Sequence, residues 1–268
     1  MQASAVRMCG HNHAIRPAFL PPGFRLGSVK KIKESHPSAI SISPCGRPPR
    51  CHRRMVEAMI FRLRTGCPWR DLPEIFGSWR SVYTRWRRWN QLGVWDSVLR
   101  WLHPCAEGQL RHLDATHIKL HQDGANPIGG QCFQGIGRTK GGLNTKLTAL
   151  VDGRGRALQV RVDPGQRSDF RIAESIVPPA GKRVIADKGY DSARLRAHFT
   201  CGGAQTGIPP LSTRRVQVPI HRGWYRLRHR VENFFQRMKR FRAIATRYDK
   251  SGLHFLSAVQ LVAVLDWI

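Results

Sequence analysis

Tyr225, Arg228, Glu232 and Lys239 are spaced three, four and seven residues apart in one strongly basic run near the carboxyl end of the chain. A helix turns about 100° per residue, which brings the other three to within roughly 40° of Glu232 on a wheel. Leu227, Val231, Phe234, Phe235, Met238 and Phe241 form a separate apolar stripe centred about 120° away. Such a helix has one side for a core and one for chemistry. A lone carboxylate flanked by Tyr, Arg and Lys suits a site that holds a divalent cation against a phosphate backbone, the acid taking the metal and the others the nucleic acid. The plainer alternative is a solvated basic helix with an Arg–Glu pair one turn apart, worth only about 0.2–0.5 kcal/mol.

Two further acids are candidates to join Glu232. Asp114 lies inside the alternating stretch Arg111 to Leu120, where an acid is expensive unless it is paired or binds a metal. Asp187 follows the short apolar strand Lys182 to Ala186, and is better placed for chemistry than Asp191, which with Ser192 reads as the cap of a helix from Ala193 to Phe199. Three carboxylates brought together resist joint ionisation without a cation. Hard oxygen ligands with open positions suit Mg²⁺, and a two-ion site activates the attacking oxygen while stabilising the leaving oxygen at phosphorus.

The elements that must position these acids read as a mixed α/β layer. Arg111–Leu120 is followed by strands over Thr145 to Val151 and Ala157 to Val162, joined by the turn Asp152-Gly153-Arg154-Gly155, so Asp152 is a turn residue. A helix from Ser168-Asp169 to Ile176, the strand before Asp187, the helix 193–199 and a short strand near Thr206 to Pro209 come next. The long helix carrying Glu232 runs until Lys250-Ser251-Gly252, and a last apolar helix reaches Ile268. Ahead of this part, helical spacing holds from Met55 to Leu63, over Trp79, Val82, Tyr83, Trp86 and Trp89 behind Ser78 as N-cap, and from Val94 to Leu102. Arg80, Arg87 and Arg88 lie off the tryptophan stripe, so this module resembles a helix-turn-helix reader of DNA. The expected organisation is an irregular arm over 1–45, a helical DNA-binding domain over 46–105 and a catalytic domain over 106–268.

The whole-chain balance agrees. The 268 residues carry a formal net charge of +28 with 41% hydrophobic content, which predicts a polyanionic partner and not general disorder. No apolar span suits a membrane and no export signal opens the chain. Seven scattered cysteines without a C-x-x-C pair fit a reducing cytoplasm. The cluster Cys9-Gly10-His11-Asn12-His13 lacks the second ligand pair of a zinc finger, and His117 and His121 lack the Glu of a zincin pair. Gly135 to Gly142 matches neither a Walker A nor a dinucleotide loop, so no nucleotide cofactor is expected; Arg138 and Lys140 read as a basic loop approaching DNA.

The spacing Tyr225-x2-Arg228-x3-Glu232-x6-Lys239 resembles the YREK signature of bacterial insertion-sequence transposases of the DDE class. Thr65 to Pro73, Gly137 to Lys146, Ala186 to Asp191 and Phe241 to Lys250 are similar to stretches of the insertion sequence five family, within the IS4-like superfamily. The resemblance runs from about Gly46 to the end. It implies a ribonuclease H-like catalytic domain with Asp114, Asp187 and Glu232 as the Mg²⁺-binding triad, two ions with Mn²⁺ able to substitute. It further implies cleavage at transposon ends and attack of the freed 3′-hydroxyl on target DNA within a homo-oligomeric complex on double-stranded DNA, with Tyr225, Arg228 and Lys239 contacting that DNA. The first 44 or so residues lack the opening Trp-bearing helix of such proteins, and Ala115 stands where they carry a small polar residue. A DNA-binding relic and a host nuclease on the same fold are the alternative readings.

Overall fold

The structure, a computed structural model, describes residues 51–214, 218 and 220–267, so the expected arm over 1–45 and the Cys9–His13 cluster lie outside the described residues. The chain opens on three helices, α1 (His52–Thr65), α2 (Trp79–Gln91) and α3 (Val94–Trp101). The strands β1 (Leu110–Leu120), β2 (Gly137–Thr139), β3 (Gly142–Val151) and β4 (Ala157–Pro164) come next. Then α4 (Asp169–Ala173), β5 (Arg183–Ile185), α5 (Ala193–Cys201) and β6 (Gln205–Gly207) alternate. The carboxyl part holds α6 (Arg222–Arg226), α7 (His229–Lys239), α8 (Arg242–Ala245), β7 (Thr246–Arg247) and α9 (Gly252–Leu265). Among the described residues no helix is long and apolar enough to cross a membrane.

All seven strands form one mixed sheet. β3 runs antiparallel to β1, and β2 and β4 lie end to end along its other side. β5 is parallel to β1 and continues to β6. This is a mixed α/β sheet with flanking helices, preceded by helices, as the sequence reading anticipates. From Asn144 to Val151 every residue of β3 is buried, because helices cover both faces. One face of β1 sends Leu113 into a cluster with Leu150, Val184, Tyr190, Leu195 and Phe199. The opposite face presents His112, Asp114 and Thr116 toward α7, as the two-residue period of a strand requires.

The amino-terminal helices form where the tryptophan spacing places them. Val82, Trp86 and Trp89 of α2 are buried, and Trp86 and Trp89 pack on Trp95 of α3 with ring centroids 6.4 and 5.5 Å apart. Gly66 ends α1 at φ 74°, its N–H donating to the Arg62 carbonyl in a left-handed cap. The same apolar cluster runs on through Ile118, Leu147, Phe234 and α9, so helices and sheet share one continuous core. Trp79 and Tyr83 are only partly buried at its edge.

Several local expectations need correction. The long helix to Lys250 is broken: α7 stops at Lys239, Phe241 turns extended at φ −86°, and Thr246–Arg247 pairs in parallel with Lys119–Leu120 of β1. Arg242–Ala245 keeps a short helical turn, but at Thr246–Arg247 the backbone partners offered by a free strand edge outweigh helical propensity. Ser78, Ser168 and Ser192 occupy cap positions but make no capping bond. Asp191 does not cap α5; it is buried, accepting from Arg196, Arg214 and the Leu211 N–H, and so staples the 208–214 segment to the domain. Asp152 is a turn residue as expected, accepting the N–H groups of Arg154, Arg156 and Glu107 and pairing with the Arg156 side chain.

Arg247 ties the carboxyl segment to the sheet. Fully buried, it donates to Thr145 Oγ1 (2.7 Å) and to the carbonyls of Gln134 (2.8 Å), Gly135 (3.3 Å), Asp249 (2.8 Å) and Lys250 (3.3 Å), and burial lowers its pKa to about 10. An apolar residue there strands several buried carbonyls. Arg247→Met is expected to lower unfolding stability by roughly 2–4 kcal/mol, read from urea denaturation; a change below about 0.5 kcal/mol would show that the network contributes nothing net.

Candidate active site

The register pairs His112 with Ile185, so the end of β5 stops two residues short of Asp114, and Asp187 follows it at the same level. β7 occupies the same side of β1 only from Lys119 onward. Between β5 and β7 the edge of β1 around Asp114 therefore has no strand partner on that side among the described residues, and α7 packs over it. This is where the distant acids meet.

Arg228, one residue before α7, reaches Asp114 Oδ2 at 2.8 Å and, through its other terminal nitrogen, Glu232 Oε1 one turn further on. The first of these bonds joins residues 114 positions apart in the chain. Tyr225, on α6, donates its hydroxyl to Asp187 Oδ1 at 3.0 Å. Lys239, at the end of α7, donates to Thr116 Oγ1 at 2.8 Å, two residues along β1 from Asp114. All four residues of the spaced set thus line the β1 face, although a turn at Leu227 and Arg228 interrupts the helix they were read as sharing. The apolar stripe is as expected: Val231, Phe234, Phe235 and Met238 are buried beneath them.

The electrostatics follow from the geometry. Burial pushes the Asp114 carboxyl above its ordinary range; the Ala115 N–H and Arg228 oppose this, while the charges of Asp187 and Glu232 add to it. Burial works against the Arg228 charge, but the Asp114 and Glu232 carboxylates outweigh it and raise the guanidinium pKa. Burial and the bond to Asp187 raise the Tyr225 hydroxyl, so it stays protonated and donates.

The donors present, three carboxylates on a partly buried edge, are hard oxygens of the kind Mg²⁺ accepts. The raised pKa of Asp114 marks a place where additional positive charge would be stabilising. Among the described residues no three Asp, Glu, His or Cys side chains stand close enough to enclose one ion. Arg228 lies between two of the carboxylates instead.

The other expected DNA contacts are not gathered here. Arg80, Arg87 and Arg88 are exposed on α2, and Arg138 and Lys140 are exposed at the β2–β3 turn. His117 meets Asn144 at 3.1 Å and His121 stacks on Tyr248. Two residues near the site were not singled out beforehand. Thr116 anchors Lys239. Tyr190 is buried with no partner for its hydroxyl among the described residues, and burial followed by the charges of Asp114, Asp169 and Asp187 raises its pKa well above the ordinary value. The strand alternation that put Asp114 toward α7 also put Thr116 there, so its signal was available.

A family model described as "Transposase DDE domain" matches residues 106–264, and one described as "Putative transposase of IS4/5 family" matches residues 30–99. The chain is similar to a protein of Brucella ovis named "Putative transposase for insertion sequence element IS6501", 34% identical over 129 residues that cover 47% of this chain and 99% of that one. It is also similar to the uncharacterized protein y4sN of Sinorhizobium fredii, 36% identical over 97 residues, 36% of this chain and 70% of that one. Among solved structures it is similar to a Mos1 transposase paired-end complex with the left transposon end, at 10% identity and a TM-score of 0.27 over 79% of this chain and 86% of that one, too distant a likeness to bear on this site.

Asp114 has a signed consequence for stability. A carboxyl with a raised folded-state pKa gives its full stabilisation below the ordinary carboxylate range and loses it as pH rises through the raised value, so at neutral pH its charge costs stability. Asp114→Asn is expected to raise the Tm of the metal-free protein at pH 7 by about 2–4 °C, and to diminish the further rise that added Mg²⁺ gives the wild type. A lower Tm for the variant would show that the Arg228 contact outweighs burial.

Proposed function

The chain belongs to the DDE-domain transposases, and from that premise we propose that Asp114, Asp187 and Glu232 are the metal-binding catalytic triad for cutting and joining DNA. The observation that carries this reading is the guanidinium of Arg228 held between Asp114 and Glu232, with Asp187 tied to the adjacent Tyr225. Acids from β1, from the end of β5 and from α7 have no packing reason to converge at one sheet edge. A shared cation supplies one.

Mg²⁺, as two ions with Mn²⁺ able to substitute, would be held by the three carboxylates and would activate the attacking oxygen and stabilise the leaving oxygen at phosphorus. The protein's own groups do the rest. Arg228 orients the Asp114 and Glu232 carboxylates and limits their repulsion before substrate arrives. Tyr225 fixes Asp187 by a hydroxyl that keeps its proton. Lys239, held by Thr116 at the rim of the site, presents positive charge to a DNA phosphate. Arg80, Arg87 and Arg88 on α2, in a DNA-binding helical module over 46–105, and Arg138 and Lys140 at the β2–β3 turn would bind the backbone further out. The substrates are double-stranded transposon ends and a target duplex. The products are cleaved ends and strands joined through the 3′-hydroxyl.

Asp114→Asn, Asp187→Asn and Glu232→Gln should each lower metal-dependent strand cleavage at least about 10³-fold while leaving DNA binding within a few-fold of wild type. Near wild-type cleavage by any one would remove that residue from the triad. DNA binding with no Mg²⁺- or Mn²⁺-dependent cleavage by the wild type would identify a relic, and nicking without joining would identify a nuclease. Affinity for DNA should fall by about 10³ between 50 and 200 mM salt if six or more phosphates are contacted; a flat salt dependence would contradict the basic surface as the DNA-binding face.

A further inference from the structure

The loop between β1 and β2 is chemically unlike the rest of the chain. From Leu120 to Gly137 it contains no Lys or Arg, in a protein where 45 of 268 residues are Lys or Arg. Its charged carboxylate, Asp123, is paired with His121 at 3.3 Å. Two large apolar side chains stand almost entirely in solvent on it, Ile128 at 94% and Phe133 at 85% exposure.

The loop is firmly held in spite of this. Arg247 grips the Gln134 and Gly135 carbonyls, and Gln134 Oε1 accepts the Gly252 N–H at 2.7 Å. Within the loop, Gln134 Nε2 donates to the Ile128 carbonyl at 3.1 Å and Gln131 Nε2 to the Ala125 carbonyl at 2.8 Å. Gly129 and Gly130 make the tip at φ 83° and 86°, which a side chain would strain. Beside the tip runs a groove of about 450 Å³ lined mainly by apolar side chains, Phe133, Val162, Leu253 and Leu256, with Gln134 and Ser251 among its polar lining; Leu253 is itself 46% exposed. Fixed apolar residues next to an apolar groove are a binding surface, since their exposure is unfavourable and they are not free to fold away.

We propose that this face joins two copies of the chain, Ile128 of one protomer seating in the groove of its partner against the Phe133 that walls it, and the reverse. Charge decides between occupants. A surface built for DNA would carry the cations that every phosphate contact rewards, and this loop has none. Two chains of +28 repel one another, and a patch free of basic residues is where that repulsion opposes contact least. Knob and groove adjoin on the same surface, so a two-fold axis lets both protomers use them at once, which closes the assembly as a dimer. The inference does not depend on the catalytic triad, and its principal readout, self-association, uses neither metal nor DNA.

Sedimentation of the full chain without DNA should show dimers that tighten as salt is raised, because salt screens the repulsion between protomers. Ile128→Asp with Phe133→Asp should weaken that association at least about tenfold with an unchanged Tm. Val177→Asp, at another exposed apolar position, should leave it unchanged. The exposed thiol of Cys132, between the two apolar residues, should alkylate more slowly at dimeric than at monomeric concentration, while the exposed Cys201 should not change. The proposal is overturned if the wild type is monomeric at every concentration, as it would be if another segment of the chain covers the groove. It is equally overturned if the double variant dimerises like the wild type, or loses DNA affinity with its self-association intact, the last identifying the loop as a DNA wedge.

Discussion

Carboxylates brought to one sheet edge repel, and a cation placed between them relieves that repulsion. In the structure that cation is the Arg228 guanidinium, bonded to Asp114 and Glu232. The acids are partly buried, so their interaction is stronger than at an open surface, and burial itself pushes the Asp114 carboxyl toward protonation. In the proposed triad, the same conditions that make the site costly for an empty protein would favour a divalent ion and a polyanion.

The scaffold meets that cost with rigidity elsewhere. β3 is buried on both faces, and α1 with the tryptophan-bearing helices α2 and α3 extends its core without a break. Arg247 fastens the carboxyl segment to the loop before β2, and Asp152 fastens the β3–β4 turn to the chain entering β1. Among the described residues the edge of β1 between β5 and β7 lacks a strand partner on that side, and α7 packs over it. The apolar loop at the far end of β1 rests on the same Arg247 anchor, so the surface proposed for a second copy and the sheet that carries Asp114 are parts of one continuous framework.

Much of this was legible in the sequence because its signals were local and periodic. Trp86, Trp89 and Trp95 marked the core of α2 and α3, and the alternation around Asp114 placed it within a strand. The spacing of Tyr225, Arg228, Glu232 and Lys239 put them on one side even though the helix proved to be interrupted. What was not legible depended on partners far along the chain. Thr246 and Arg247 look helical until the free edge of β1 is known, and Asp191 looks like a cap until Arg196 and Arg214 are seen to enclose it. Arg228 read as a DNA contact, but its place between Asp114 and Glu232 needs a fold that brings β1 beside α7.

The most direct test of the account is where a divalent ion sits. With Fe²⁺ in place of Mg²⁺, ascorbate and peroxide generate hydroxyl radicals that cut the polypeptide within a few ångströms of the bound metal. The account predicts backbone cuts clustered around residues 114, 187 and 232 that excess Mg²⁺ suppresses. Cuts clustered elsewhere, or none at these three places while the metal is demonstrably bound, would contradict it.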